Sequence, residues 1–381
     1  MLLEEVAMFL ASFLTFWLLL SLTFSIVKIK GVNLKPFLLI IRVGPEKINK
    51  MLSRLTSRWI KAWSMLLDVG VALGFGLIAF SLYFLVSNLF KRFVMAEGFV
   101  AIVPPIPGLA LPLGQVPYFL AALSIAIVVH EVAHAAASKI VGVEIRSFGI
   151  ALLAMILTAF VELDEETMER TELGSRLKIF AAGSFANLAL FVVLLVVFMV
   201  LFQPGGVLVH HVEASTPAFQ AGITEGCVIK QLNDVYVLNR LDLNNFMRHV
   251  GPDQVVRVKL MSPEGSLREV VLRTASHPSD PSRGFLGILP LDFYELRLLR
   301  LPPNVLIHVL TFYAWLQVVL FSLAVFNMLP MAIVDGGRMA YAVIARTMKS
   351  GHLARGLLAL LTATSVCLIA LNIAATLIPL P

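Results

Sequence analysis

Apolar residues run through this chain in long blocks that polar residues do not interrupt at helical or strand spacing. Val6–Val27 carries no charge, and Ser64–Leu89 carries one, Asp68. Residues 98–130 carry none, but prolines at 104, 105, 107, 112 and 117 split that run into a loop and a helix at about 117–140. Further blocks cover about 177–202, 303–330 and 356–378. A helix crossing a bilayer needs about 20 apolar residues, so the pattern predicts about six transmembrane helices. The first block is too long and uniform for a cleaved leader, and no small-residue cleavage site follows it. Composition agrees: 59% of residues are hydrophobic and 14% charged, with 2 cysteines. These values exclude a disordered chain, a nucleic-acid-binding tail protein, a disulfide scaffold and an ordinary soluble enzyme.

The net charge of +6 sits largely in loops beside the apolar blocks. Residues 28–63 carry nine Lys/Arg and one acid, Glu46, and residues 338–355 carry Arg338, Arg346, Lys349 and Arg355 with no acid. Lys/Arg-rich loops face the cytoplasm. Six spans put both loops on that side, and both termini and residues 203–302 outside. Lys91 and Arg92 run against this assignment.

Residues 203–302 have a different texture, with ten Lys/Arg and ten Asp/Glu. Strand-like runs recur at Gly206–Glu213, Val228–Leu232, Val255–Leu260 and Leu267–Leu272, and an amphipathic helix fits Leu241–Val250. This is a small α+β domain inserted between the fourth and fifth spans.

Ionisable residues within an apolar span are costly and each calls for a reason. The third span holds IVVHEVAHAAAS. His130 and His134 lie four apart and share a helix face, so both imidazoles can hold one tetrahedral zinc ion. Glu131 beside them can take a proton from a zinc-bound water. A plainer alternative has the two histidines satisfied by backbone carbonyls, with Glu131 as counter-ion. A catalytic zinc needs a third protein ligand and an open fourth position. Asp335 in FNMLPMAIVDGGRM is the best candidate, following 34 residues without Asp, Glu, Lys or Arg. His134 lies about six residues, roughly 9 Å, before the inner end of its helix, so the three meet in the cytoplasmic half of the membrane. Ser184 has no base placed to make it a nucleophile.

Two motifs together resemble the site-2 protease family of intramembrane zinc metalloproteases. HEVAH matches its H-E-x-x-H, and NMLPMAIVDGG matches its N-x-x-P-x-x-x-x-D-G through Asn327, Pro330, Asp335 and Gly336. The chain has Ala133 where the family often has Gly, and Val334 where it usually has Leu. FGIALLAMILTAFVEL looks like the family's re-entrant β-hairpin, and AAGSFANLAL carries Asn187 where the family has an asparagine near the zinc. STPAFQAGITEGCVIKQLNDVYV resembles PDZ domains, with Cys227 where those usually carry Asp.

The resemblance implies a polytopic α-helical membrane protein, with a re-entrant β-hairpin and an inserted PDZ-like domain. The resemblance covers about residues 117–345, and with the apolar pattern it divides the chain into an N-terminal transmembrane pair with a basic loop outside the shared core (1–116), a first stretch of membrane catalytic core (117–202), an extracytoplasmic PDZ-like domain (203–302), a second stretch of that core (303–345) and a C-terminal helix (346–381). It implies one catalytic Zn2+ on His130, His134 and Asp335, with Glu131 as general base. Asn187 is expected in catalysis or substrate binding, or as an interhelical hydrogen bond, and Asn327 at the substrate or in orienting the turn to Asp335. The expected activity is hydrolysis of peptide bonds in or near a transmembrane segment of another protein, as in regulated intramembrane proteolysis. Expected partners are that substrate, the lipid bilayer and a peptide at the PDZ-like groove, but no nucleic acid, in a multi-pass protein of the cell membrane. A metal-binding membrane protein without protease activity, and a membrane scaffold, are the competing readings.

Overall fold

In the computed structural model, residues 2–27, 31–56, 59–95, 97–348 and 350–378 are described. The chain divides into two compact units, residues 1–192 with 315–381, and residues 193–314.

The first unit opens with α1 (Leu2–Ile26), β1 (Val32–Lys35), β2 (Leu38–Val43), α2 (Pro45–Thr56) and α3 (Ile60–Phe90). It continues with α4 (Val116–Val141), β3 (Ile145–Leu153), β4 (Ile156–Leu163), α5 (Glu165–Arg170) and α6 (Leu173–Leu201). Among the described residues, five helices have the length and apolarity to cross a membrane: Ile60–Met95, Leu113–Val141, Leu173–Leu201, Pro303–Asn327 and Gly351–Leu377. The count differs from the expected six at the first block. That block does fold as α1, but its apolar part, Leu10–Ile26, is shorter than those five.

The largest departure from expectation lies in the basic loop 28–63. Residues 32–43 form a hairpin, and β2 pairs antiparallel with β3 from Val43↔Phe148 to Leu38↔Leu153. The expected β3–β4 hairpin is present, and the sheet has four strands in the order β1-β2-β3-β4. The two hairpin turns meet, the amide of Ala154 donating to the carbonyl of Phe37 at 2.8 Å. Trp17 of α1 donates its indole N–H to Ala154 O at 3.0 Å, and Phe13 stacks on Phe37. The two-residue turns force positive φ on Phe37 (57°) and Ala154 (54°), and these contacts hold them there.

Charged and amide groups within the apolar helices find partners in other helices. Asp68, the one charge in its predicted span, accepts from Lys178 Nζ at 2.9 Å. Asn88 of α3 donates to Asn372 Oδ1 at 2.9 Å in the last helix, and Asn372 donates back to Leu85 O at 3.1 Å. Leaving such groups unpaired in an apolar surrounding is costly, so they specify which helices pack together.

The second unit is built on β5 (Phe202–Val212), α7 (Pro217–Gln220), β6 (Val228–Leu232), β7 (Val235–Tyr236), α8 (Arg240–Met247), β8 (Val255–Met261), β9 (Leu267–Arg273), β10 (Ala275–His277), β11 (Asp280–Phe285) and β12 (Ile288–Leu296). The main sheet runs β12-β5-β6-β8-β9 with β7 on β6, and β10 and β11 form a separate ribbon. Val207, Val209, Ile229, Leu232, Val258 and Leu260 fill its core at 0% exposure, as strand alternation requires. Cys227 is buried there beside Thr224 and Arg268. The unit runs from Val193 to Ala314, and within it Phe198 of α6 stacks on Tyr313 and meets Tyr294 edge-on.

The chain returns to the first unit through α9 (Pro303–Asn327), followed by α10 (Asp335–Thr347) and α11 (Gly351–Leu377). Leu77, Phe180, Ala181, Met328 and Met339 form a buried cluster between α3, α6, the end of α9 and α10.

Candidate metal centre

Two sequence segments supply the centre, and each reaches it for a local reason. On α4, His130 and His134 are separated by one helical turn, and their rings lie 4.7 Å apart. The other segment leaves α9 at Asn327, turns through Met328–Val334 and starts α10 at Asp335. That start packs directly on the turn. A Cβ on Gly336 would lie 2.4 Å from Met328 O, and one on Gly337 would lie 1.8 Å from Met331 O. The Asp-Gly-Gly sequence therefore places Asp335 at this depth, because no side chain fits behind it.

The three ligand-type atoms converge. His130 Nε2 and His134 Nε2 each lie 3.0 Å from Asp335 Oδ2 and 3.0 Å from one another. Asp335 and His130 are buried, and His134 is nearly so. The outer side of each ring is engaged as well. His134 Nδ1–H donates to Ile179 O at 2.7 Å, leaving Nε2 with its lone pair toward Asp335. In that tautomer Nε2 faces other lone pairs at hydrogen-bond distance, an arrangement that calls for a cation among them. Ligands at about 2.0–2.2 Å around a tetrahedral zinc lie roughly 3.3 Å apart, close to the observed spacing. The donor set of two imidazoles and one carboxylate fits a zinc ion with one position open.

Asn187 sits behind His130. It is fully buried, and its amide nitrogen lies 3.4 Å from His130 Nδ1 while its Oδ1 has no hydrogen-bond partner. Half a turn of the amide exchanges the two atoms. Oδ1 then accepts from Nδ1–H, the tautomer that frees Nε2 for a metal. Asn187 does not line the cavity in front of the centre, whereas Glu131 and Asn327 do. Replacing Asn187 by Ala is expected to lower zinc affinity by about 10–100-fold, measured by competition with a fluorescent chelator.

That cavity is about 810 Å³ and lies within the first unit. One wall is β4, through Phe160–Leu163, and the other walls include Ile127, Leu323 and Ile333. Among the described residues β4 pairs with β3 alone, so its outer edge has no strand partner. Charged residues gather at the β4 base. Arg146 pairs with Asp164 at 2.7 Å, and the carboxylate of Asp164 caps α5. The Thr167 amide, with Arg146, holds the Asp164 carboxyl below its ordinary range.

One residue of the centre escapes sequence reasoning. A Cβ on Gly183 of α6 would stand 2.5 Å from His130 Nε2 and 2.5 Å from His134 Nε2. Its only trace is the small-residue run Ala181–Ser184, one turn before Asn187.

The chain is 27% identical over 286 residues to an uncharacterized protein of Methanocaldococcus jannaschii, covering 73% of this chain and 70% of that protein. The sequence profile of peptidase family M50, the site-2 protease family, matches residues 118–371, which include both histidines and Asp335. The profile covers well over half of the chain, and the protein therefore belongs to peptidase family M50.

Proposed function

We propose that this protein is a zinc metalloendopeptidase that cleaves other membrane proteins in or near a transmembrane segment. The observation that carries this reading is the convergence of His130, His134 and Asp335, with Glu131 on the wall of the same cavity. Zinc held by the three side chains would polarise the scissile carbonyl and make a water acidic near neutral pH.

The chain's own residues supply the rest. Glu131 takes the proton from the attacking water and delivers it to the departing amine. Ile179 O and Asn187 orient the two imidazoles from behind, so Asn187 acts by positioning rather than by touching substrate. The carbonyls of a substrate helix are already hydrogen-bonded, so the segment must unwind to be cut. The open edge of β4 offers it replacement partners by strand addition beside the centre. Asn327, at the end of α9 on the cavity wall, is placed to hold the extended segment.

Within this reading β3–β4 is re-entrant, and non-helical backbone at that depth is tolerated because it lines protein and cavity. The basic stretches 28–63 and 338–355 face the cytoplasm, putting the centre in the cytoplasmic half of the cell membrane. The inserted domain is PDZ-like and extracytoplasmic, with a groove for an extended peptide.

The direct test is cleavage of a single-span membrane protein by the purified chain in detergent. Chelation should abolish cleavage, and added zinc should restore it, with circular dichroism unchanged throughout. The helices pack through apolar and amide contacts that do not involve the ion. Cleavage that survives complete removal of metal would refute the reading.

A further inference from the structure

The segment between α1 and α3 leaves a set of cations that neither the centre nor the fold uses. Lys50 and Arg54 lie one turn apart on α2 and are exposed. Leu52 lies on the opposite face of that helix, 1% exposed, packed in a cluster with Ala135, Ile145, Phe148 and Ala159. Lys61, in the first turn of α3, is also exposed. Among the described residues none of the three cations makes an ion pair or a side-chain hydrogen bond. Two tryptophans share the first turns of α3, Trp59 at 64% and Trp63 at 39% exposure.

We propose that α2 and the first turn of α3 form a binding surface for anionic lipid headgroups. The position of these cations separates them from an ordinary solvated helix face. The apolar span begins at Ile60, so the start of α3 lies at an edge of the hydrocarbon. Three residue steps separate Thr56, the end of α2, from Trp59, and an extended chain covers at most about 10 Å in that distance. That is close to one Debye length at physiological salt, about 8 Å, so the surface potential of an anionic leaflet acts on α2. Leu52 fixes the helix by its apolar face, which leaves Lys50 and Arg54 turned away from the protein. Exposed Trp59 and Trp63 are the residue type that sits at headgroup level. The occupant is a membrane lipid rather than a free phosphate, because the apolar span and both tryptophans adjoin the charges. The inference does not depend on proteolysis.

The test is lipid retention by the full-length protein. Wild type in detergent is offered equal amounts of phosphatidylglycerol and phosphatidylcholine, and the retained lipids are counted by native mass spectrometry. A triple variant, Lys50→Gln, Arg54→Gln and Lys61→Gln, is compared with Arg248→Gln plus Lys259→Gln, which removes exposed cations of the second unit that adjoin no apolar span. At roughly fivefold per charge, the triple variant should lose about a hundredfold in preference for the anionic lipid, and the control double variant little. Equal loss in both variants would make the effect one of net charge and overturn the proposal, as would a wild type that shows no preference. If the triple variant fails to fold, Lys50→Gln alone should still lower the preference severalfold. A Lys50→Gln protein indistinguishable from wild type would also overturn the proposal.

Discussion

Replacing Glu131 by Gln is expected to reduce cleavage of a membrane-protein substrate by about 10²–10⁴-fold while zinc remains bound at one ion per chain. The substitution keeps the size and polarity of the side chain and removes only its capacity to take a proton. The converging ligand set is His130, His134 and Asp335, and Glu131 is not within that cluster. Zinc content, measured by atomic absorption, should therefore match wild type. In free energy the expected loss corresponds to about 3–5 kcal/mol of transition-state stabilisation. The experiment also separates the protease from a metal-binding membrane protein, which needs the three ligands and not the glutamate. An E131Q protein that cleaves at the wild-type rate would remove Glu131 from the mechanism. Loss of zinc in that variant would instead make Glu131 part of the ligand set.

Gly183→Ala should disable the centre without touching a ligand. The added Cβ would stand 2.5 Å from three imidazole atoms, Cε1 and Nε2 of His130 and Nε2 of His134. Ordinary carbon contacts begin near 3.5 Å, so both rings must retreat by about 1 Å. Metal sites tolerate deviations of only about 0.2 Å in ligand distance. A zinc-affinity loss of roughly a hundredfold is expected, at the upper end of what disturbing the surroundings of a metal ligand costs, with a matching loss of cleavage. The helix itself should not suffer, because Ala is a better helix former than Gly by about 1 kcal/mol. A thermal melt of the variant should stay within a few degrees of wild type while its zinc content falls. A variant that keeps full zinc and full activity would show that α6 stands further from the two rings.

Several of these groups are legible in the amino-acid sequence because their signals are local. The HEVAH spacing needs only the helical repeat to put both imidazoles on one face, and the apolar surroundings make the three ionisable groups conspicuous. Asp335 stands out as the first charge after a long uncharged stretch. The strands of the inserted domain follow from alternation, and β6 falls at the expected Val228–Leu232. Its closing strand β12 is less visible, because ILPLDFYEL is defined by pairing with β5, more than seventy residues earlier in the chain.

The sequence by itself made visible the long apolar blocks, the residue types able to hold a metal and the separate inserted segment, and its two motifs together pointed to the family. The first three rest on periodicity, composition or spacing within one segment, and the family rests on the resemblance of two motifs in separate segments, so all of them survive without knowledge of the fold. Tertiary structure alone decided that residues 32–43 extend the sheet, since the local β1–β2 hairpin joins a larger sheet only when β3 arrives on β2 from a hundred residues away. It decided that Asp68 belongs to Lys178, that Asn187 stands behind His130 rather than in the cavity, and that Gly183 must lack a side chain. These are contacts between distant segments. A hydrogen bond or a van der Waals clash depends on which helices are brought together, and no periodicity within a single helix encodes that choice.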